Sequence, residues 1–422
     1  MKTIATKILA VLTRLTLMKF KPVIVGITGS VGKTSTREAV ATALLPRFNL
    51  RASSKSYNNQ YGLPFTVLGQ ESPGRNILSW IWLIIKSIVT LLGGNYPQVL
   101  VLEMGSDRPG DIEYLLKLTG RLDYAVVTDI GISHLMNYPS REALAKEKLS
   151  LLKGLKENGK GVLNYDNDAI ANQVKDNRLS NYITYGLDQQ SDVAASEIQL
   201  TSRNGVEGLT FKIKHKGTVV PVMLPDSFGR SNVYAALAAS AVGLSMGMNL
   251  VEVAQSLIDY KSPPGRLKMI PGIKRTRIID DTYNAAPAST NLALEVLSQV
   301  AKGRKVAVIG GMAELGAQNE SGHSEVAAKI QEVGVSLVFL VGENAKIIKD
   351  ELERRHFSGT VRWLETSDNA RIPVQNEIQE GDTILVKGSQ SARMERIVKE
   401  IMFDPELAEK LLVRQSAQWL SK

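Results

Sequence analysis

The chain of 422 residues lacks cysteine altogether, which excludes disulfides and thiolate metal sites and is compatible with a cytoplasmic protein. It also lacks arginine-rich runs and basic patches interleaved with aromatic residues. Its net charge of +9 comes from dispersed side chains, so we expect no nucleic-acid partner. Internal repeats and low-complexity tracts are absent as well. With 44% hydrophobic and 22% charged residues, the composition is that of a globular protein with more than one domain.

A run of apolar residues long enough to span a bilayer is also missing from the sequence. The longest run, residues 77–92, is interrupted by Lys86 and falls short of the roughly 20 apolar residues that a spanning helix needs. It contains Trp80 and Trp82, which favour an interfacial position. We interpret this segment as a core helix, a partner of the N-terminal helix or an anchor at a membrane interface.

Residues 1–22 carry five basic side chains and no acidic one. Apolar residues recur there at spacings of three and four, which predicts a basic amphipathic helix with a stripe made of Ile4, Ile8, Val11, Leu15 and Met18. Such a helix either lies on an anionic membrane surface or packs on the protein. If residues 1–22 and 77–92 both contact lipid, the protein is located in the cytoplasm at the inner face of the membrane.

What the sequence does contain, directly after the apolar run Val23–Val25, is a glycine-rich loop that leads into a helix-like stretch. This loop segment, Gly26–Thr36, has the sequence GITGSVGKTST. In a strand–loop–helix arrangement, backbone N–H groups and the helix dipole face a polyphosphate, a lysine adds charge and a hydroxyl binds magnesium. The segment therefore predicts a phosphate-binding loop, although Ile27 occupies the position of the first glycine of the generic pattern. The predicted nucleotide ligands are Gly29, Ser30, Gly32, Lys33, Thr34 and Ser35.

Short aliphatic strands alternate with helix-like stretches along the chain, which is typical of an α/β protein with a mostly parallel sheet. A Pro/Gly-rich break at Ser262–Gly265 separates two such series. We predict a central P-loop ATPase domain over residues 23–262, with an apolar helical insert at 76–94, and a C-terminal Rossmann-like α/β domain over residues 263–422. Residues 1–22 precede them as the basic helix.

Several polar residues at predicted strand or helix ends are candidates for chemistry. Glu103 ends an apolar strand and is either a magnesium ligand or a solvated acid. His134 follows another strand end and is either functional or structural. Lys148 lies near a helix start, where spacing alone predicts a solvated side chain. The pair Asp280 and Asp281 serves a ribose, a metal or a turn.

Taken together, these elements resemble the Mur ligase family of ATP-dependent amide ligases. The resemblance runs from about residue 23 to the C-terminus and involves, in the family's order, Gly26–Thr36, Asn58–Pro64, Glu103–Gly105, Gly131–Leu135, Ala145–Lys148, Ser231–Val233, Gly265–Leu267, Asp280–Pro287, Met312–Gly316 and Lys387–Ser389. The segments Glu103–Gly105 and Asp281–Ser289 are most similar to the branch that adds D-alanyl-D-alanine to a muramoyl-tripeptide in peptidoglycan synthesis.

The resemblance implies that ATP phosphorylates a peptide carboxylate and that an amine then attacks the acyl phosphate. It implies that Lys33 holds the β- and γ-phosphates, and that Thr34 and Glu103 hold a first Mg²⁺. Lys148, carbamylated by carbon dioxide, would serve a second Mg²⁺ near His134, which requires a depressed lysine pKa. The other implied contacts are Asn232 with adenine, Arg266 and Asp281 with phosphate and ribose, Tyr283 with the nucleotide cleft, and Asn58, Asn59, Lys387 and Ser389 with the muropeptide or the amine.

Departures from the family pattern concern the amine substrate more than ATP. Ser150 stands where the family usually has glutamate, Gly311 stands in place of an acid and Gln390 in place of an arginine. Only 22 residues precede the first strand, whereas the family normally carries an N-terminal domain that binds the UDP part of its substrate. A lipid-linked or nucleotide-free acceptor is therefore an alternative. Two further alternatives are a folyl- or poly-glutamate synthetase, and a nucleotide-driven ATPase that forms no amide.

Overall fold

The computed structural model of the chain describes residues 2–53, 57–74, 76–131, 135–175, 180–203 and 205–420. The helices are α1 (Lys2–Phe20), α2 (Lys33–Leu44), α3 (Gly62–Leu68), α4 (Ile77–Leu92), α5 (Asp111–Thr119), α6 (Arg141–Leu149), α7 (Asp168–Lys175), α8 (Arg230–Ser245), α9 (Leu250–Ser256), α10 (Pro287–Val300), α11 (Asn319–Glu332), α12 (Lys346–Arg354), α13 (Ser367–Glu377), α14 (Glu395–Ile401), α15 (Ala408–Leu411) and α16 (Ala417–Leu420).

The strands are β1 (Val23–Thr28), β2 (Leu50–Ala52), β3 (Val99–Glu103), β4 (Leu122–Val127), β5 (Leu155–Asn164), β6 (Tyr182–Gly186), β7 (Val193–Arg203), β8 (Val206–His215), β9 (Thr218–Pro225), β10 (Lys268–Pro271), β11 (Arg277–Asp281), β12 (Lys305–Gly310), β13 (Leu337–Val341), β14 (Thr360–Leu364) and β15 (Thr383–Lys387). Helices and strands are interspersed along the whole chain, apart from the consecutive strands β6 to β9. The predicted α/β fold class is therefore confirmed.

The chain forms two compact units. Unit 1 comprises Met1–Gln199, Thr210–Leu224 and Ser231–Lys261, and unit 2 comprises Leu200–Leu209, Pro225–Arg230 and Ser262–Lys422. The domain boundaries that the sequence suggests, at residues 22/23 and 262/263, stay predictions.

The first sheet places the end of β1 in the middle of a parallel array. Its strand order is β2-β3-β1-β4-β5-β6-β7-β8-β9, and the neighbouring pairs from β2 to β7 are parallel. Because β1 pairs with β3 on one side and β4 on the other, the carboxyl ends of these three strands meet at one edge. In parallel sheets this is the edge where ligands bind.

Helices α1 and α4 pack on each other and on α3 through a shared apolar cluster. Leu9 and Leu12 of α1 and Leu83 of α4 are buried there, together with Phe65 and Leu68 of α3. At the C-terminal end of α4, the Nζ atom of Lys19 donates hydrogen bonds to the carbonyl oxygens of Leu91, at 2.6 Å, and Gly93, at 2.9 Å.

The apolar stripe predicted for residues 1–22 is not the face by which α1 packs. Its members Ile8, Val11, Leu15 and Met18 are exposed, while the opposite side of the helix is buried. Ile4 belongs to the same stripe, but its side chain lies outside the described part of the structure. Among the described residues, no helix combines the length and apolarity that crossing a membrane requires.

The second sheet forms the centre of unit 2 and is covered on both faces. Its order is β10-β11-β15-β12-β13-β14; β10 and β11 are antiparallel and the other pairs are parallel. Successive side chains of a strand point to opposite faces. Accordingly, Val306 and Val308 of β12 pack in one core, and Ala307 and Ile309 pack in the other. Burial on both faces explains why these strands are continuously apolar.

Candidate active site

The loop after β1 is shaped by two glycines and by a threonine from the neighbouring strand end. Gly29 and Gly32 have φ angles of +149° and +86°. A Cβ atom on Gly29 would lie 2.0 Å from Thr128 Oγ1, so only glycine fits there. Thr128 Oγ1 in turn donates hydrogen bonds to the carbonyl oxygens of Val31, at 2.6 Å, and Thr28, at 3.2 Å. These contacts fix the backbone that leads into α2.

The predicted phosphate ligands of the loop lie at the N-terminus of α2. The Nζ atom of Lys33 donates to the carbonyl oxygens of Gly29, at 2.7 Å, and Ser30, at 3.3 Å, so the ammonium group lies over the loop. The backbone N–H of Ser30 donates to the carbonyl oxygen of Asp129 at 2.7 Å. Thr34 and Ser35 are buried in the first turn of the helix. The arrangement suits an anion at a helix N-terminus.

Glu103, at the end of β3, accepts hydrogen bonds from two side chains of α2 and from one in the segment before α3. Its Oε2 atom accepts from Thr34 Oγ1 at 3.1 Å and from Arg37 Nη1 at 3.4 Å, and its Oε1 atom accepts from Asn58 Nδ2 at 3.1 Å. The side chains of Glu103 and Arg37 are each only 2% exposed. The carboxylate and the hydroxyl predicted to bind Mg²⁺ are thus adjacent, and both are oxygen ligands of the kind that Mg²⁺ prefers.

Lys148 is buried rather than solvated, which overturns what its spacing alone predicts. Its side chain is 1% exposed, and its Nζ atom donates to the carbonyl oxygen of Ser106 at 2.9 Å and to Ser106 Oγ at 3.0 Å. Burial, reinforced by the positive charge of Lys33, lowers the pKa of Lys148 to about 7. A large fraction of the amine is therefore neutral near pH 7.

Glu147, the neighbour of Lys148, connects α6 to the start of α5. Glu147 accepts hydrogen bonds from the backbone N–H groups of Gly110, at 3.0 Å, and Ile112, at 2.9 Å, at the start of α5. A carboxylate at a helix N-terminus is favourable because it meets both unpaired N–H groups and the positive end of the dipole. α6 is thereby tied to α5, and Lys148 is held against the loop that contains Ser106.

A hydroxyl chain extends from Lys148. Ser106 Oγ lies 2.8 Å from the hydroxyl of Tyr138, and burial raises the pKa of Tyr138 to about 12. Tyr138 therefore stays protonated at neutral pH and can donate. His134, the other residue predicted at the second metal site, lies outside the described residues.

The two asparagines predicted to bind substrate have structural partners in unit 1. Asn58 contacts Glu103, and its carbonyl oxygen accepts from the N–H of Gly105 at 2.7 Å. The Oδ1 atom of Asn59 accepts from the N–H groups of Tyr61 and Gly62 at the start of α3. Substrate contact by either residue stays a prediction.

Asn232, predicted to contact adenine, is buried in the first turn of α8. Its Oδ1 atom accepts a hydrogen bond from the hydroxyl of Tyr260 at 2.8 Å. That bond fixes the orientation of the amide within unit 1. Contact with adenine stays a prediction.

In unit 2, Asp281 and Lys387 form a buried ion pair. Lys387 Nζ lies 2.6 Å from Asp281 Oδ2 and also donates to the carbonyl oxygen of Asn284 at 2.9 Å. The other oxygen of Asp281 accepts from the N–H of Leu267 at 3.2 Å. Burial lowers the pKa of Lys387, and the charge of Asp281 opposes that shift. The pair joins the ends of adjacent strands β11 and β15.

Two guanidinium groups lie near the ring of Tyr283. The Arg266 guanidinium carbon is 4.0 Å from the centre of the Tyr283 ring, and that of Arg414 is 5.7 Å away. These are cation–π distances. Arg266 Nε is buried with no hydrogen-bond partner among the described residues, and a buried donor of this kind is costly to leave unpaired. Arg266 is thus equipped to receive an anionic oxygen.

The segment after β15 is bound to the segment after β12. Ser389 Oγ donates to the carbonyl oxygen of Gly311 at 2.8 Å. The next N–H, that of Met312, donates to Nε2 of the buried His323 at 3.0 Å, and Nδ1 of this histidine lies 2.7 Å from the carbonyl oxygen of Asn319. The imidazole is therefore neutral with its proton on Nδ1, in agreement with its lowered pKa, which burial causes.

Sequence reasoning missed several residues that build these sites. Arg37 looks like an ordinary charge on a helix until its burial against Glu103 is known. Thr128 carries no motif of its own, and Ser106 and Tyr138 lie in loops. The one available signal was the position of Ser106, three residues after Glu103 and close to a strand end.

A glycine-shaped loop at the carboxyl end of a parallel sheet, with a carboxylate from the neighbouring strand, defines an α/β nucleotide-binding protein of the P-loop class. Residues 27–243 match the Mur ligase middle domain, and residues 265–390 match the Mur ligase, glutamate ligase domain. The chain belongs to the Mur ligase family. The resemblance drawn from the sequence is confirmed.

Three known proteins illustrate the similarity. The chain is 30% identical over 391 residues to the UDP-N-acetylmuramoyl-tripeptide–D-alanyl-D-alanine ligase of Bacillus subtilis, and 31% identical over 382 residues to that of Escherichia coli; each alignment covers 90% of this chain and 76% of the relative. The crystal structure of MurF ligase from Thermotoga maritima in complex with ADP is similar at a TM-score of 0.77 and 25% identity, covering 96% of this chain and 84% of that one. The chain is thus an ATP-dependent ligase.

Proposed function

We propose that this ligase adds D-alanyl-D-alanine to a muramoyl-tripeptide, through an acyl phosphate formed with ATP. The names of the two bacterial relatives support the choice of substrates. The observation that carries amide formation, as opposed to simple ATP hydrolysis, is the buried Lys148 with its pKa of about 7.

The proposed first step joins the terminal carboxylate of the tripeptide to the γ-phosphorus of ATP. A carboxylate oxygen forms the new P–O bond, and the bond to ADP breaks. The loop around Gly29, Ser30 and Gly32, with the Lys33 ammonium, would hold the phosphates and neutralise charge as it develops. Such a reaction depends on positioning and electrostatic stabilisation.

Magnesium fits the oxygen atoms beside the loop. Thr34 Oγ1 and Glu103 Oε2, 3.1 Å apart, would hold one Mg²⁺, which neutralises phosphate charge when it is bound. Among the residues that the structure describes, no group of three or more histidine, aspartate or glutamate side chains could hold a metal ion. Phosphate oxygens and water would therefore complete the coordination, as is usual for Mg²⁺.

Carbamylation of Lys148 is proposed as the source of a further carboxylate. The neutral amine would attack carbon dioxide, form an N–C bond and release one proton, so that a neutral group becomes an anion. Low exposure and a depressed pKa support this step, because only the neutral amine is nucleophilic. The carbamate, together with His134, would then serve a second Mg²⁺. Ser106, which now accepts two hydrogen bonds from the amine, would orient the product.

In the proposed second step, the amine of D-alanyl-D-alanine attacks the acyl carbon and phosphate leaves as the amide forms. Asn232, Arg266, Asp281 and Tyr283 are proposed nucleotide contacts. The unpaired Nε of Arg266 supports that role for this residue. Lys387 and Ser389 are proposed substrate contacts, and their present partners within unit 2 would have to share them.

The test measures phosphate release by the purified full chain with ATP, Mg²⁺, D-alanyl-D-alanine and a muramoyl-tripeptide, and identifies the product by mass spectrometry. The tripeptide is supplied both with and without UDP. We expect a product heavier than the acceptor by one D-alanyl-D-alanine minus water. Omission of the dipeptide should abolish amide formation, and Lys33→Ala should lower the rate by about 10²- to 10³-fold.

Two outcomes would redirect the assignment. Product formation with glutamate in place of D-alanyl-D-alanine would favour a folyl- or poly-glutamate synthetase. Phosphate release that is independent of every peptide and amine would favour an ATPase without ligase activity.

We also propose that the enzyme works in the cytoplasm at the inner face of the membrane. The absence of cysteine is compatible with that compartment. Peripheral contact through residues 1–22 and 77–92 is supported by the exposed apolar side chains of α1 and α4.

A further inference from the structure

The exposed side of α4 is almost entirely apolar. Eight of its sixteen residues are large apolar side chains exposed to solvent: Ile77, Leu78, Ile81, Trp82, Ile85, Ile88, Val89 and Leu92. They recur at spacings of three and four, opposite the buried Leu83 and Ser87. A soluble surface rarely presents so many neighbouring apolar side chains unless something binds there.

The exposed stripe of α1 lies on the side of that helix away from its packed face. Ile8, Val11, Leu15 and Met18 are exposed by 37% to 69%. The hydrogen bonds from Lys19 to carbonyl groups of Leu91 and Gly93 place the C-terminal end of α4 beside one flank of the stripe. We call the exposed apolar residues of α1 and α4 the two-helix surface.

Basic side chains occupy the opposite flank of the α1 stripe. Lys7 and Arg14 are seven residues apart and therefore lie on one side of the helix. Lys21, seven residues further on, directly follows the end of α1. Residues 1–22 and 76–94 together contain six basic residues and no acidic one. The charges that border the two-helix surface are therefore all positive.

A groove of about 430 Å³ opens on this basic flank. Its lining includes five cationic side chains, namely Arg14, Lys21, Lys117, Arg121 and Lys156, next to the apolar Met18. None of the described residues that line it is acidic. Lys117 and Lys156 already pair with Glu113 and Asp123, and Arg121 donates to the carbonyl oxygen of Leu155 at 2.9 Å. Arg14 of α1 and Lys21, directly after α1, are both exposed and are therefore the cations best able to meet a ligand.

We propose that the two-helix surface and this groove together dock the protein on an anionic lipid bilayer, with a lipid phosphate held in the groove. Apolar residues would enter the headgroup–acyl boundary, Trp82 would take the interfacial position that tryptophan favours, and the basic flank would face the anionic headgroups. Charge complementarity selects a bilayer over an apolar protein partner, because the charge is confined to the border of the apolar area. The proposal deepens the membrane location proposed above and does not depend on the ligase reaction.

The test is co-sedimentation of the full chain with vesicles of phosphatidylcholine, with and without phosphatidylglycerol. We expect binding only to the anionic vesicles, with a loss at high salt because screening shortens the range of the attraction. Arg14→Gln/Lys21→Gln should weaken binding by about 25-fold. The control Lys399→Gln/Lys410→Gln removes the same charge from exposed positions in unit 2 and should leave binding within about twofold.

A second pair of variants tests the apolar part. Met18→Asp/Trp82→Asp should reduce binding by about tenfold or more, whereas Ile372→Asp/Phe403→Asp, at exposed apolar positions elsewhere, should not. Thermal unfolding of each variant checks that it is folded. Ligase activity on substrates free in solution should be unchanged in all four, so this measurement separates failure of docking from failure of the proposed reaction.

Three results would overturn the proposal. One is equal binding to neutral and anionic vesicles at low salt, or no binding to either. Another is an equal loss in the control pair of charge variants. The third is lipid-free self-association that Met18→Asp/Trp82→Asp abolishes, since that would make a second copy of the chain the occupant of the two-helix surface.

Discussion

Burial sets the chemistry of Lys148 at the scale of the single residue. An exposed lysine has a pKa near 10.4 and is almost fully charged in the cell. Here the side chain is enclosed, its partner Ser106 offers neutral oxygen atoms, and the nearby Lys33 disfavours a second positive charge. The same amino acid is thereby converted from a surface cation into a group that can react with carbon dioxide.

The proposed carbamate predicts a rise of ligase activity with pH. Because the pKa of Lys148 is lowered to about 7, the neutral fraction increases by about tenfold per pH unit below 7 and levels off above it. Initial rates measured from pH 5.5 to 8.5, with and without added bicarbonate, check this. We expect Lys148→Ala to be inactive and to be partly rescued by short carboxylic acids. Lys146→Ala, two positions earlier on the exposed side of α6, is the control and should stay active.

A rate profile that is flat across pH 7, or a fully active Lys148→Ala, would contradict the carbamate. The second result would also remove the proposed second metal site.

Gly29 predicts a steric test of the phosphate loop. In Gly29→Ala, the new methyl group would lie 2.0 Å from Thr128 Oγ1 and 2.9 Å from the backbone nitrogen of Asp129, so the loop must shift. We expect ATP affinity to fall by about tenfold or more, given a strain of about 1–3 kcal/mol. Gly217→Ala introduces the same methyl group at a φ of +81° with nothing within 4 Å, and calorimetry should find its ATP affinity unchanged. Equal affinities for all three proteins would rule out the loop as the phosphate site.

At the scale of elements, α4 is held to unit 1 by one side only. Leu83 is 4% exposed and packs with Leu9, Leu12 and Phe65, whereas Ile81 is 50% exposed. Leu83→Ala should lower the free energy of unfolding by about 2–4 kcal/mol, through lost burial and the cavity left behind. Ile81→Ala should change it by no more than about 0.5 kcal/mol. Urea unfolding monitored by tryptophan fluorescence compares the two, and a larger effect of Ile81→Ala would show that its side is the packed one.

The helix α1 marks a limit of sequence reasoning about elements. Spacing correctly predicts the helix and its apolar stripe, but not which side packs, because α1 has two sides that can be buried. On the packed side, Thr16 satisfies its hydroxyl by donating to the carbonyl oxygen of Leu12 at 2.8 Å, so a threonine is tolerated inside. Leu9 and Leu17 complete that side. The positions of α3, α4 and α5 decide between the two sides, and that information is not local.

In the candidate active site, too, local sequence patterns predict some residues and miss others. The segment Gly26–Thr36 predicts the phosphate loop because strand, glycine-rich loop and helix are consecutive in the sequence. Glu103 was predicted from its place at a strand end. The burial of Arg37 and Lys148 could not be predicted, since the groups that enclose them come from β3, α5 and the intervening loops. For Asn232 and Tyr283, roles come from the family resemblance and not from any local pattern.

At the scale of the whole molecule, nucleotide binding should increase the free energy of unfolding. A ligand that binds only the folded protein at a hundred times its Kd stabilises it by about 2.7 kcal/mol. We expect Mg²⁺ and ADP to raise the melting temperature of the wild type, and Lys33→Met to lose most of that shift. Lys148→Met should retain it, because Lys148 is proposed to act in acyl transfer and not in ADP binding. Calorimetry measures the melting temperatures of the wild type, Lys33→Met and Lys148→Met with and without ligand. An undiminished rise in the melting temperature of Lys33→Met would argue against a role of Lys33 at the phosphates.

The pairing of Glu103 with Arg37 has a consequence for an enzyme that must discard its product on every cycle. If Glu103 had a metal ion as its sole counter-charge, each departure of the metal with ADP would strand a bare anion in the protein interior. Arg37 Nη1, Thr34 and Asn58 already contact that carboxylate. The carboxylate therefore keeps its hydrogen-bond partners when nucleotide and metal leave, and the site stays ordered for the next ATP.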